Sequence, residues 1–558
     1  LEDLDLSLYA GRWVALVRGR VAGVGRTADE ARRASQGARP KERPELRFVT
    51  SEDWQNDPLL RRTWRILKGQ HAEALLVGGA VRDGLLGRPL HDLDFVVNGD
   101  ATALAGAVAR ILGSPLVPLD QERDIARVVV FERERRYYLD FSRRHGESWY
   151  EDLQARDFTV NAIAVDAAGR YLDPLGGRED LAAARLRAPS ESAFREDPLR
   201  TLRAARLMAE LEMTLESETA ALIRRDASLL PHVAPERIRD EFVRVLDAPR
   251  VAHHLVVLDD LGLSPQFLPE IAALNGVAQS PPHHWDVGTH TRLTVEAVEL
   301  LTRLSTGYPA PGMGAKVDGH SLRAPGWVWG DLEKRLSPLQ GDLVAHLQRV
   351  VSDVRDRRFL LKLAALFHDA GKPQKRSFER PRTGPAEQEG RIRFIGHERL
   401  GAELAAERMR FLRFSGHEIE RVETIVAHHM RPSHLARARG PTRRAIYRYF
   451  KATGDAGVEV ALLSLADVLA TWSEDLPSPV WLRQLEVVGT LLHAFFDQPA
   501  RVSPAPLVDG HELMEALELP PGPEVGRLLE EIREAQATGQ VKTRAGALAL
   551  AARLKREI

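Results

Sequence analysis

Two acids one residue apart, Asp92 and Asp94, stand in a stretch that also carries paired glycines and an arginine. Leu75 to Asn98 reads LLVGGAVRDGLLGRPLHDLDFVVN. The apolar run ending at Val77 predicts a strand and Gly78-Gly79 a tight turn. A short amphipathic helix from about Ala80 then carries Arg82 and Asp83. Glycines let backbone N–H groups approach a phosphate, and a helix N-terminus adds the positive end of a dipole. Arg82 can fork onto phosphate oxygens. His91-Asp92-Leu93-Asp94 runs into Phe95-Val96-Val97, a second predicted strand, and residues two apart on a strand leave the same face. Two carboxylates on one face form a hard oxygen site that suits Mg²⁺. Two such ions can clamp the attacking and leaving oxygens of an in-line phosphoryl or nucleotidyl transfer. An Asp-x-Asp alone usually marks a solvated strand face. The combination GGxxRDxLxGxxxxDxD is far more specific.

Composition bounds what can surround these residues. A chain of 558 residues exceeds one domain, and roughly three to five are expected. Apolar content of 44% and charged content of 28% are ordinary for a soluble globular protein. No apolar run approaches a membrane span, and LEDLDLSLYAGRW lacks the layout of a signal peptide. With no Cys there are no disulfides, thiolate nucleophiles or Cys-ligated zinc, so the cytoplasm is the expected compartment. Net charge is −1, so any RNA must be held by local basic patches and shape.

The assembled pattern resembles the signature of the class II nucleotidyltransferases, which comprise the tRNA CCA-adding enzymes and bacterial poly(A) polymerases. That resemblance implies a multidomain, mainly α protein with an α/β, polymerase-β-like head. The expected domains are a small appended α+β module (1–50), the head (51–190), a helical neck (191–280), a histidine-rich helical bundle (281–475) and a helical tail (476–558). In the appended module Trp13–Val17 and Arg20–Gly25 predict a hairpin, and Thr27–Ala31 a capped helix start.

Within the head, the predicted strand Arg136–Phe141 ends near Asp140. The architecture implies an acid there as the third metal-site residue; the plainer reading is a strand-end acid paired with Arg143. Arg156-Asp157-Phe158-Thr159-Val160-Asn161-Ala162 resembles the family's RRDFTxNA block, implied to bind triphosphate and select ribose. Arg156 suits phosphate; Asp157 and Asn161 suit ribose hydroxyls. Ala155 stands where the family has a first Arg, which puts one triphosphate or RNA contact in doubt. Gly176-Gly177 permits a turn and resembles the hinge between head and neck.

Glu196-Asp197-Pro198-Leu199-Arg200 matches the family's EDxxR motif, implied to choose the incoming base. Asp197 and Arg200 are three apart and predicted to share a helical face. Read without the family, they form an i,i+3 ion pair at a helix start. Arg203 and Arg206 extend a basic edge toward phosphates.

A second constellation follows. His290, His368-Asp369, His397, His428-His429 and Asp467 fall on or beside separate apolar helical runs. Imidazoles and carboxylates on different helices are how a bundle core builds a metal site. Their order resembles the HD-domain metal-dependent phosphohydrolases. By that resemblance His290, His368, Asp369 and Asp467 hold one divalent metal, and His397, His428 and His429 a second. Ser305–Pro338 and Glu379–Gly390 read as surface insertions.

The densest basic stretch, Arg437–Lys451, interleaves Arg443, Arg444, Arg448 and Lys451 with Tyr447, Tyr449 and Phe450. It is either a solvated basic face or an RNA contact. In the tail, Pro520–Gly526 is either a phosphate-holding turn or a plain helix start.

The resemblance implies transfer of CMP and/or AMP from CTP or ATP to the 3′ end of tRNA, with Mg²⁺ on Asp92 and Asp94, and a second site that hydrolyses phosphate esters. Addition of A alone and poly(A) synthesis share the same motifs. From another class, the chain reads as an HD phosphohydrolase whose head only binds nucleotide.

Overall fold

The structure is a computed structural model. It describes the chain except residues 1–5, 27, 40–41, 52, 133–134, 306–321, 353–354, 380–389, 439 and 557–558. The chain forms two compact units, Leu1–His232 and Val233–Ile558, and the cut falls inside the stretch expected to be one neck.

The first unit is built on a seven-stranded sheet. Its order is Tyr171–Leu172, Ala164–Val165, Ala74–Val77, Asp92–Val97, Arg135–Arg143, Ile125–Glu132, Leu116–Asp120. Asp92–Val97 sits centrally, antiparallel to Ala74–Val77 and parallel to Arg135–Arg143. Leu93 and Phe95 point away from the acids and are buried. Phe95 stacks on Phe141 at 5.2 Å, and Trp64 meets it edge-on at 5.1 Å. Burying such a ring contributes about 2–3 kcal/mol, which fixes the register and with it the face the acids use. Trp64 belongs to the helix Pro58–Gly69, which starts on a capping Asp57 and a proline at its first turn.

In the appended module, strands Arg12–Val17 and Arg20–Gly25 form the expected hairpin, and the helix Ala28–Ala38 packs over it. The expected cap at Thr27 lies outside the described residues. A third strand, Glu45–Val49, pairs with the first; its alternation Leu46, Phe48 was masked by the polar break before it. The module is seated on the head. Trp13 Nε1 donates to Ala182 O at 2.6 Å, and a side chain at Gly11 would collide with the Leu86 backbone.

The second unit is helical. Five elements converge on its core: Val287–Ser305, Arg357–Phe367, His397–Phe411, Gly416–His428 and Gly457–Trp472. The segment expected as an insertion is partly a helix, Gly326–Leu336, with Val328 and Leu332 buried. Apolar residues at i,i+4 outweigh its glycines and proline. The other expected insertion lies mainly outside the described residues; its flanks Ser377–Glu379 and Arg391–Arg393 pair as a small hairpin. The stretch Arg443–Asp475 is apolar and long enough to cross a membrane by composition, but 83% of its apolar window is buried inside the protein. In the tail, helices Gly510–Leu517, Pro523–Thr538 and Arg544–Arg556 close over their own core of Leu513, Leu528, Ile532 and Ala547.

Candidate active site and candidate metal centre

The glycine turn and the acids meet. Val77 is the sheet partner of Asp94, so the chain leaving Val77 enters Gly78 beside that carboxylate. Gly78 has φ of 74°, a conformation that favours glycine. A Cβ there would lie 3.3 Å from both Asp94 Oδ2 and Arg156 Nη1. Gly79 begins the helix Gly79–Leu85, and a Cβ on it would meet Arg82 Nη2 at 3.4 Å. A glycine-lined recess is therefore bounded by one acid and two guanidinium groups.

Asp140 is the parallel-register partner of Asp94. Its carboxylate is gripped by Arg127, Nε and Nη2 each at 2.7 Å, and not by Arg143, which pairs with Asp124. Burial, then the charge of Asp140, push the Asp94 carboxyl up to about 6; Asp92 adds to the rise and Arg156 opposes it. Acids crowded on one sheet face call for a cation. The donor set of hard oxygens fits Mg²⁺.

Arg82 does not stand free to meet a phosphate. Its Nε and Nη2 fork onto Asp83 at 2.9 and 3.0 Å, and Nη1 donates to Asn161 Oδ1 at 2.6 Å. Asn161 Nδ2 donates to Asp157 Oδ1 at 2.9 Å, and Arg203 Nη1 lies 3.3 Å from Asp157 Oδ2. One hydrogen-bonded chain thus runs from the glycine-turn helix through the RDFTVNA segment to the helix Leu199–Leu211. Asp157 is held below the usual carboxylate range despite its burial, chiefly by the charge of Arg203. Arg156 Nη2 contacts Asp152 at 3.2 Å, an acid that sequence reasoning passed over.

The expectation that Asp197 and Arg200 share a helical face is corrected. Asp197 precedes the helix in extended backbone, φ −141° and ψ 97°, and its carboxylate accepts from Leu199 N. The residue before a proline is excluded from helical geometry, and Pro198 follows. Arg200 donates to Ala155 O at 2.6 Å and Ala193 O at 3.1 Å. Position 155, where the family's arginine is replaced, thus anchors Arg200 through its carbonyl. Arg206 lies 3.9 Å from Glu210.

In the second unit, His290, His368 and Asp369 form one group of buried ligand atoms, and Asp369, His397 and His429 another. Asp369 Oδ2 lies 3.2 Å from His368 Nε2, and Oδ1 lies 3.3 Å from His397 Nε2. His290 Nε2 is 3.1 Å from Asp467 Oδ1. The Nδ1 atoms of His368, His397 and His429 lie 2.8, 2.7 and 2.7 Å from the carbonyls of Ala365, Phe394 and Val426. Such distances suit an Nδ1–H donor, which leaves each Nε2 lone pair facing the cluster. Lone pairs aimed at carboxylates repel unless a cation lies between them, so the donors fit a metal. Burial pushes His429 down to about 3, keeping it neutral as a ligand must be.

His428 is a correction: it turns away from this cluster toward the backbone of Ala452. Adjacent residues on a helix point about 100° apart, so only one of the pair can face inward. Lys372 and His283 were missed. Lys372 Nζ sits 2.6 Å from Asp369 Oδ2, three residues on in the same turn, a spacing legible in HDAGK. His283 packs on His290 with ring centres 5.0 Å apart. A cavity of about 690 Å³ opens from Asp369, His397, His429 and Asp467, with Arg393, Arg437 and Trp472 in its walls.

The basic stretch is an exposed face whose cations are paired. Arg444 and Arg448 pair with Glu534 at 2.6 and 2.8 Å, Lys451 with Glu530 at 2.6 Å, and Arg443 Nη1 donates to Thr538 O at 3.3 Å. Tyr447 OH donates to Glu530 as well. The helix Pro523–Thr538 carries complementary acids, which a reading of the basic segment alone could not weigh.

Sheet and carboxylates together define a polymerase-type nucleotidyltransferase head. Residues 74–187 match the Poly A polymerase head domain, 341–472 the HD domain, and 483–552 a tRNA nucleotidyltransferase domain 2. The A-adding tRNA nucleotidyltransferase of Deinococcus radiodurans is 36% identical over 84% of this chain and 93% of its own length. The CC-adding tRNA nucleotidyltransferase of Thermus thermophilus is 35% identical over 85% and 91%. A CCA-adding enzyme solved with ATP has the same fold, with a TM-score of 0.57 at 17% identity over 90% of this chain and 97% of that one. The chain belongs to the class II tRNA nucleotidyltransferase and poly(A) polymerase family, and it is a nucleotidyltransferase with an HD domain.

Proposed function

We propose that this chain adds nucleotides from CTP and/or ATP to the 3′ end of tRNA. The observation that carries the reading is the pair of acids on one strand face against the Gly78 turn, where a Cβ on Gly78 would lie 3.3 Å from both Arg156 Nη1 and Asp94 Oδ2. The RNA 3′-hydroxyl oxygen bonds to the α-phosphorus, and pyrophosphate leaves. Asp92 and Asp94 would hold Mg²⁺, with Asp140 as ligand or base; the ions supply charge neutralisation at the attacking and leaving oxygens. Gly78 and Gly79 admit the triphosphate to the backbone, and Arg156 faces it. Asp83 holds Arg82, and Asp157 and Asn161 hold the ribose side of the pocket. Asp197 and Arg200 choose the base, with Arg200 set by two backbone carbonyls; Arg203 and Arg206 flank them.

The relatives matched across most of this chain include A-adding and CC-adding enzymes, whereas the multifunctional CCA protein of Halorhodospira halophila is matched over 41% of it. That favours a partial addition, CC or A, over the complete CCA sequence. Incubation with tRNA lacking CCA, tRNA ending in CC, and a plain oligonucleotide, each with one NTP, tests this. Incorporation of one nucleotide class onto one tRNA end is expected; growth of long A tracts on the oligonucleotide would make the enzyme a poly(A) polymerase.

A second site is supported by the backed imidazoles and the cavity above them. His290, His368, Asp369 and Asp467, with His397 and His429, would hold divalent metal and hydrolyse phosphate esters. Release of phosphate from a phosphomonoester, lost in Asp369→Ala, is the test.

A further inference from the structure

Arg127 stands on the strand Ile125–Glu132, directly across from Asp140 in the sheet register. Asp140 is opposite Asp94, and Asp94 opposite Val77. Residues opposite one another share a face, so Val77, Asp94, Asp140 and Arg127 form one row across four strands. The row begins at the glycine turn and ends in a guanidinium. Both oxygens of Asp140 are taken by that guanidinium, at 2.7 Å each. The fork is planar and bidentate, the strongest form of this pairing. Arg127 also lies over the ring of Tyr138, 4.5 Å from its centre. Tyr138 is the register partner of Asp92, so the ring beneath the guanidinium stands beside the strand that carries the acids.

We propose that Arg127 is the resident counter-cation of the carboxylate row. It occupies Asp140 when no metal is bound, competes with divalent metal for that carboxylate, and so sets the affinity of the head site for metal. A divalent ion reaching either oxygen of Asp140 would sit beside a fixed positive charge, and one of the two cations must yield. Arg127 is thus a positioning residue acting through Asp140. The inference rests on the reading of Asp92 and Asp94 as metal-holding acids.

The test is a Mn²⁺ titration of the full chain followed by electron paramagnetic resonance of the free ion. The head-site isotherm is the difference from an Asp92→Asn/Asp94→Asn chain, which leaves the bundle's ligands in place. Arg127→Gln should tighten head-site binding by roughly three- to ten-fold. Arg127→Lys, which keeps the charge but not the fork, should tighten it less. In an Asp140→Asn background Arg127→Gln should change affinity by less than about two-fold. Thermal melts of each variant check folding, and the Lys variant gives a second reading should the Gln variant melt early. Unchanged or weaker binding in Arg127→Gln would overturn the proposal. So would equal tightening with and without Asp140, which would make Arg127 only a distant charge. If the difference isotherm shows no head site even in the parent chain, the metal reading falls first and takes this inference with it.

Discussion

The head and the histidine-rich bundle both gather acids that suit metal, yet they solve the charge problem in opposite ways. In the head, Asp94 faces Asp140 and Asp92 as well as Arg156 and Arg127, and burial plus Asp140 push its carboxyl up to about 6. In the bundle, burial alone would also raise Asp467, but the hydrogen bond with His290 holds it far below the usual carboxylate range. Asp369 is likewise held down, by His368 and Lys372 against its burial. The bundle is preset, with its acids ionised and its imidazoles backed by carbonyls. The head is poised, with Asp94 holding its proton more tightly than an ordinary carboxylate until a cation arrives.

The largest way to break this comparison is to remove one acid from each site. Asp94→Ala should lower nucleotide transfer by about a thousand-fold or more while phosphate-ester hydrolysis persists. Asp369→Ala should do the reverse: loss of bundle metal, read by elemental analysis, with transfer kept within about three-fold. Coupled loss of both activities in either variant would merge the two sites into one.

A smaller effect sharpens the contrast in proton affinity. At limiting Mg²⁺, transfer should fall as pH drops below about 6, where Asp94 takes up a proton, and raising Mg²⁺ should move that limb to lower pH. The sign for stability runs the other way. Asp94 binds its proton more tightly folded than unfolded, so the metal-free protein loses stability as pH rises from the ordinary Asp range through about 6. Asp94→Asn removes that loss. It should stabilise the metal-free chain by roughly 1–3 kcal/mol above pH 6 and by little below pH 4, measured by urea unfolding. The smallest expected effect concerns the basic stretch. Arg444→Ala/Arg448→Ala breaks exposed ion pairs to Glu534 and should cost about 0–1 kcal/mol. Its tRNA affinity should keep the parent's salt slope; a shallower slope would restore the stretch as an RNA contact.

The two sites also differ in how far the sequence alone reveals them. Asp92 and Asp94 lie within one strand period of each other, and the glycines lie one hairpin away, so local rules place them on one face. Asp140 was placed by architecture, but its partner Arg127 was not, because strand pairing decides which arginine it meets. In the bundle, the order of histidines pointed to the candidate ligands, while the choice between His428 and His429 needed the helix phase at a chain turn. Asp197 is the instructive case in the neck: Pro198 already forbade the helical face, and the motif's spacing drew attention away from it. The partners of the basic stretch were not legible for a different reason, since complementarity with Glu530 and Glu534 spans some eighty residues of chain and has no local signal. The helix Gly326–Leu336 shows composition losing to periodicity within a single segment.

The most direct test of the central claim is a crystal of this protein soaked with Mn²⁺ and a non-hydrolysable CTP or ATP analogue, with anomalous density recorded at the manganese edge. The claim requires a peak between the carboxylates of Asp92 and Asp94, with the triphosphate against Gly78 and Gly79. Manganese confined to the histidine cluster, with nucleotide bound and those two carboxylates bare, would contradict it.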